Sequence, residues 1–137
     1  MRGIPGSGKT PWAIKHFGNG CNAVILSSAD FFMKGGRYNW VASKTPHSHT
    51  WNKNRFLSAL EKGIETIVVD NTNIKAWEMQ DYLNLLENHL DYEVFQKVME
   101  IDPIEAIGAS SHKVPGYAII RMDEDFEIVE EMEHFVL

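Results

Sequence analysis

The run "GIPGSGKTPWA", residues 3–13, constrains the chain more than any other stretch. Gly3, Gly8, Lys9 and Thr10 fill every fixed position of the pattern G-x-x-x-x-G-K-[ST]. Gly6 and Gly8, with Ser7 between them, let the backbone turn until successive N–H groups point inward at phosphate oxygens. Lys9 reaches the outer phosphates of a nucleotide, Thr10 offers a hydroxyl to Mg²⁺, and the helix opening near Gly8 adds its positive end. A chance glycine turn is the alternative, and the complete pattern with Pro5-Gly6-Ser7 inside it argues against that. Such a loop normally hangs from a buried strand, yet only Met1 and Arg2 precede it. The N-terminal strand is therefore expected to be missing from the sequence, which would expose the centre of a sheet and leave the loop untethered. Either the true start lies upstream or the domain is damaged.

Beyond the loop, helices and strands alternate. A short helix from Pro11 to Phe17 runs into the turn "GNGCN". "AVILS" (Ala23 to Ser27) and "ETIVVD" (Glu65 to Asp70) are apolar runs of buried-strand type, and "YEVFQKVME" predicts a third strand. "MKGGRYNW" reads as a polar loop broken at Gly35-Gly36. Thr45-Pro46 opens a helix as N-cap and first residue, and Gly63 stops it after about Lys62. "NTN" is a capping turn before a helix from about Lys75 to His89. A short Pro103-led helix, a Gly/Ser/His loop and an acidic final helix at about 117–134 complete the chain. The order predicts an α/β fold with three layers around a mostly parallel sheet, in a single domain covering 1–137.

With 137 residues and 44% hydrophobic content, one domain with a modest core is expected. No apolar run approaches membrane-spanning length and no signal peptide precedes the motif, so no membrane partner is expected. The single cysteine, Cys21, excludes an internal disulfide and suits a reducing, cytoplasmic setting. The net charge of −6 is unevenly placed: from Asp123 onward there are seven carboxylates and no Lys or Arg. The other 122 residues hold all 13 bases against 12 of the 19 acids, so the body is near neutral. The acids read as a solvated helix face, because Met122, Phe126, Val129, Met132 and Val136 recur at helical spacing.

A second constellation lies at the predicted strand ends, where sheets of this kind bind ligands. "ILSSADFF" places Asp30 where a carboxylate can accept a proton from an attacking hydroxyl, with a helix cap as the alternative. "VVDNTN" places Asp70 where a ligand of Mg²⁺ belongs, and Asn71 and Asn73 within reach of polar substrate groups.

Together, "RGIPGSGKT", "ILSSADFFM", "YNW", "HTWNKNRF" and "IETIVVDNTNIKAWEMQDYL", in this order and spacing, resemble the polynucleotide kinase-like P-loop kinases. The nearest branch is the compact AAA-type ATP-binding domain of the Nedd-four-binding protein two-like proteins. The resemblance runs from Arg2 to about Met99 and weakens after Glu100 to "HKVP" and "IIRM". It implies a P-loop NTPase fold and ATP-dependent transfer of the γ-phosphoryl group, with a nucleic-acid 5′-hydroxyl as the type acceptor. By the same matching Lys9 and Thr10 serve the phosphates and Mg²⁺, Asp30 is the base candidate, and Asp70 with Asn73 supports the metal or the acceptor.

His47, His49, Trp51 and Arg55 fall in the H-x-W-N-x-x-R helix. The His-x-His pair lacks further metal ligands nearby, so packing and acceptor positioning are expected, with Arg55 the best phosphate contact or else an exposed arginine. Trp40, Trp51 and Trp77 are candidates to stack on bases, although Trp77 is expected in the core. Arg2, Lys34, Arg37, Lys44, Lys53 and Arg55 form the basic footprint that would track a single-stranded nucleic acid.

Three further departures from the family pattern matter. Pro11 has no N–H where the backbone usually contacts an α-phosphate. An ungapped alignment puts Ala29 at the catalytic aspartate, whereas a one-residue deletion restores Asp30. The lid arginines are replaced by Gly108 and Ala109, leaving Lys113 and Arg121 as the candidates to neutralise transition-state charge. Three readings follow: an active kinase, a nucleotide-binding pseudokinase or regulatory module, and a truncated or decayed reading frame stable only with a partner protein or not at all.

Overall fold

The computed structural model describes residues 1–19, 22–110 and 112–129. Contacts divide the chain into two compact units, Thr10–Asn71, and Met1–Lys9 with the chain from Thr72 onward. The division falls one residue into helix α1 (Lys9–Phe17).

The Thr10–Asn71 unit is built on a parallel pair. The β-branched runs "AVIL" and "TIVV" form β1 (Ala23–Leu26) and, later in the chain, β4 (Thr66–Val69), in register from Ala23 with Thr66 to Leu26 with Val69. A 3₁₀ turn, Ser28–Phe32, leaves the end of β1 and is capped by Ser27, whose side chain accepts the Ala29 N–H. The expected polar loop that follows is a hairpin. β2 (Met33–Lys34) pairs antiparallel with β3 (Arg37–Tyr38), because Gly35 and Gly36 both adopt the positive φ that a two-residue turn requires. Helix α2 (Thr45–Glu61) begins one residue earlier than expected, with Lys44 as cap and Thr45 already helical. Ser48, Asn52, Phe56, Ala59 and Leu60 form its buried face, and Leu26, Phe32 and Val68 complete the core of this unit.

The other unit contains α3 (Ala76–Asn84), a 3₁₀ turn at Leu85–Asn88, α4 (Pro103–Ala109) and α5 (Gly116–Asp125). Ile4, Ile74, Ala106 and Ile119 form its core, with Ile101, Val114, Met122 and Phe126 packed against them. Here two expectations are corrected. The stretch 92–100 is not a strand: it pairs only at Val98, in a parallel bridge to Arg2. Its side chains still alternate between exposed and sheltered from Asp91 to Val98, but among the described residues no strand beside it is long enough to extend the ladder. The final helix ends at Asp125 instead of about 134, since Phe126 turns into an extended conformation and the Glu127 N–H is taken by the Ile74 carbonyl. Met132 and Val136 lie outside the described residues.

The loop is also not untethered. Arg2 bonds Lys97 and Met99 through its backbone on one side, and the Gly3 N–H reaches Thr72 on the other, at 2.8–3.0 Å. Two residues thus pin the loop where a longer strand was expected to be needed.

Candidate functional site

In the unit that carries Met1–Lys9, the loop Gly3–Lys9 turns at Gly6 and Gly8, with φ of +83° and +86°. Gly6 is doubly constrained, because a Cβ there would lie 2.4 Å from the Ala106 carbonyl oxygen in α4. Ser7 is buried with its Oγ unpartnered, which suits an oxygen-rich guest. The Lys9 ammonium donates to the Ile4 carbonyl at 3.0 Å, which folds it over the loop and uses one of its three protons.

In the Thr10–Asn71 unit, the Thr10 hydroxyl donates to Asp70 Oδ2 at 2.5 Å. Asp70, 3% exposed at the end of β4, keeps Oδ1 buried and without a hydrogen-bond partner. A buried carboxylate oxygen of this kind is costly unless something cationic faces it. Among the described residues no three His, Cys, Asp or Glu side chains gather as a metal cage. A hydroxyl beside one carboxylate is the sparse donor set with which Mg²⁺ is held alongside phosphate oxygens, and the residues present fit that ion.

Asp30 stands in the 3₁₀ turn, and Ser27 is the cap, so the alternative role of Asp30 as a helix cap does not hold. Its carboxylate is 48% exposed and pairs with Arg55 at 3.3 Å. Arg55 also donates to the Ser27 carbonyl and Asn52 Oδ1, both at 3.4 Å, and lies 4.3 Å from the Trp51 ring centre. His49 Nδ1 meets Ser28 Oγ at 3.1 Å, while His47 is exposed. Burial raises the Tyr38 hydroxyl above its ordinary pKa, where Tyr38 packs edge-on against Phe32.

Other expected site residues stand elsewhere. Asn73 is 5% exposed in the unit that carries the loop, with its amide donating to the Met1 carbonyl at 2.8 Å, so it organises the backbone there. Arg2 leaves the basic footprint altogether: at 1% exposure its guanidinium donates to the carbonyls of Asn73, Ile74 and Glu127 and covers the Phe126 ring at 4.5 Å. Burial lowers its pKa, opposed by the nearby charges of Glu127 and Glu78. Trp77 is not core, since it is 64% exposed on the face of α3 opposite Met79 and Tyr82. Gly108, Ala109, Lys113 and Arg121 are all exposed. Sequence reasoning missed Asn52, which is fully buried and donates to the Leu26 carbonyl. Its signal was a polar residue four positions from both Ser48 and Phe56, in phase with the buried face.

Comparison with known proteins agrees with this geometry. The AAA domain family matches residues 1–107. Human NEDD4-binding protein 2 is 35% identical over 130 residues, covering 93% of this chain and 7% of the relative's own length. Among solved structures, a chain of the Pnkp1/Rnl/Hen1 RNA repair complex superposes with a TM-score of 0.69 at 18% identity, over 90% of this chain and 42% of that one. The fold is therefore that of the P-loop NTPases. No helix among the described residues is long and apolar enough to cross a membrane. A complete G-x-x-x-x-G-K-T pattern, a parallel β1–β4 pair followed directly by Asp70 and a family match over most of the sequence converge: the chain belongs to the AAA domain family of polynucleotide kinase-like P-loop proteins and is a kinase-like nucleotide-binding protein.

Proposed function

We propose that the protein binds ATP with Mg²⁺ and transfers the γ-phosphoryl group to a hydroxyl acceptor, a nucleic-acid 5′-hydroxyl, in the cytoplasm. The observation that carries the reading is the Thr10–Asp70 pair at 2.5 Å with Asp70 Oδ1 buried and unpartnered. Gly6, Ser7 and Gly8 would cradle the phosphates through backbone N–H groups, Lys9 would neutralise the outer ones, and Thr10 with Asp70 would hold Mg²⁺. When bound there, the ion would supply neutralisation of phosphate charge. In the transfer, the acceptor oxygen forms a bond to the γ-phosphorus as the bond to the ADP oxygen breaks. The hydroxyl proton passes to the Asp30 carboxylate.

A nucleic-acid acceptor is supported by the unit that carries Asp30. The hairpin and α2 present Lys34, Arg37 and Lys44 at the surface, with Lys53 and Arg55 part-sheltered and Trp40 and Trp51 interleaved. The RNA repair complex that shares the fold points to the same class of acceptor.

A second reading, a catalytically degenerate nucleotide-binding module, is favoured by the ion pair of Arg55 on Asp30, which occupies a carboxylate oxygen of the base candidate. The uncharged Gly108 and Ala109 favour it too, because losing an arginine at such a lid costs about 10³-fold or more in rate. One experiment separates the readings. Mg²⁺-ATP should raise the Tm of the wild type, and Lys9→Ala should remove that shift. Asp30→Asn should then abolish transfer to a 5′-hydroxyl oligonucleotide while leaving the ATP shift intact. If the wild type transfers nothing and Ala29→Asp confers transfer, the module reading stands. An ATP shift unchanged in Lys9→Ala would overturn both.

A further inference from the structure

We propose that Asn71 is a positioning residue that sets the spacing between the Asp30 turn and Asp70. The inference rests on the kinase reading and goes beyond its substrate contacts. The β1–β4 ladder ends at Leu26 and Val69, with one further bond from the Asp70 N–H to the Leu26 carbonyl at 2.8 Å. Beyond it β1 breaks into the Ser28–Phe32 turn, where no strand partner is left for the Ser28 N–H of a buried residue. Asn71 Oδ1 accepts that N–H at 2.9 Å. Asn71 directly follows Asp70, and Asp30 is two residues past Ser28, so this bond links the segments that carry the two carboxylates beyond the end of the ladder.

The same turn is held at other points. His49 meets Ser28 Oγ, Ser27 caps Ala29, and Arg55 grips Asp30 together with the Ser27 carbonyl. Those contacts orient the turn against its own chain and against α2 (Thr45–Glu61). Asn71 alone, among the bonds just named, ties it to the strand end that carries Asp70. A proton acceptor displaced by about 1 Å from its reacting partner can lose about 10²-fold in rate, so a residue that fixes this distance acts on the chemical step and not on nucleotide capture.

The test compares Asn71→Ala with Asn71→Asp, which keeps a carboxylate oxygen where the amide oxygen stood. Two quantities are read: steady-state transfer of γ-phosphate from Mg²⁺-ATP to a 5′-hydroxyl oligonucleotide, and amide hydrogen exchange at Ser28. Asn71→Ala is expected to lower kcat by about 10²-fold with the KM for ATP within about twofold, and to speed Ser28 exchange by at least about tenfold. Asn71→Asp is expected to recover most of the kcat and the protection. Should Asn71→Ala fail to fold, Asn71→Ser, whose hydroxyl is too short to reach the Ser28 N–H, takes its place. An undiminished kcat, a loss that appears in the KM for ATP, or unchanged Ser28 exchange overturns the inference while leaving the kinase reading standing. A wild type that transfers nothing overturns both, so the two failures are told apart.

Discussion

Replacing Arg2 tests whether a side chain two residues from the N-terminus holds the loop-bearing unit together. Its guanidinium donates to three carbonyls, Asn73 at 2.9 Å, Ile74 at 3.2 Å and Glu127 at 2.7 Å, and lies over Phe126, so it joins segments up to 125 positions apart. Bonds from a charged donor contribute about 1.5–3 kcal/mol each when measured by deletion, which taken alone would suggest a very large loss. Two facts reduce it. All three hydrogen-bond partners are neutral carbonyls, so Arg2→Met strands no buried charge and recovers the desolvation cost of the guanidinium, including an NH1 that is buried without a partner. The Ile74 carbonyl also keeps the Glu127 N–H, and Glu127 is exposed enough to find water, which leaves the buried Asn73 carbonyl as the main orphan. The net loss for Arg2→Met is then about 2–3 kcal/mol, and about 4 kcal/mol for Arg2→Ala, which adds a cavity. Urea unfolding followed by tryptophan fluorescence measures it directly. For a chain of 137 residues the Tm should fall by roughly 6–12 °C in Arg2→Met. Arg2→Lys should fall between, because one ammonium cannot span three carbonyls and a ring. A loss below about 0.5 kcal/mol in Arg2→Met, or full stability in Arg2→Lys, would refute the role given to the guanidinium.

Three other outcomes are expected. Gly6→Ala should abolish the ATP-induced Tm shift and lower basal stability, because its Cβ meets the Ala106 carbonyl oxygen at 2.4 Å and φ is +83°; retained ATP binding would show that the loop turns elsewhere. Asp70→Asn should remove the Mg²⁺-dependent part of ATP affinity, read by calorimetry with and without chelator, while Mg²⁺-free nucleotide binding through Lys9 persists. Trp77→Ser should change stability by less than about 0.5 kcal/mol, since Trp77 is 64% exposed, whereas Ile119→Ala in the core should cost about 2–5 kcal/mol by denaturant unfolding.

What the sequence made legible is what is decided within a few residues. The G-x-x-x-x-G-K-T pattern, the β-branched runs of β1 and β4 and the Pro46 start of α2 each fix backbone conformation locally, and the structure keeps them within one or two positions. Trp77 was legible too: Met79, Tyr82 and Leu86 define the buried stripe, and position 77 falls opposite it, outside the core. The final helix fails for a different reason. Its apolar spacing continues past Asp125, but Phe126 and Glu127 are claimed by Arg2 and Ile74 from far along the chain, and a periodicity argument contains no such partners.

The same distinction bears on the site itself. The presence of Asp30, Asp70, Thr10 and Arg55 could be read from motif spacing, but their mutual state could not. The spacing offers Arg55 as a phosphate contact or an exposed arginine, whereas the structure pairs it with Asp30 and sets it over the Trp51 ring. While the pair lasts, the guanidinium occupies the Asp30 oxygen, 3.3 Å away, that would otherwise face the hydroxyl of the acceptor. An acceptor carrying its own phosphate would compete for the guanidinium, and a half-exposed ion pair is weak enough to yield to it. Within this unit, then, the residue expected to bind the acceptor and the residue expected to deprotonate it are already coupled. Arg55→Met should therefore raise the KM for the oligonucleotide acceptor while leaving the KM for ATP unchanged, and an unaltered acceptor KM would show that Arg55 serves only to hold the Asp30 turn.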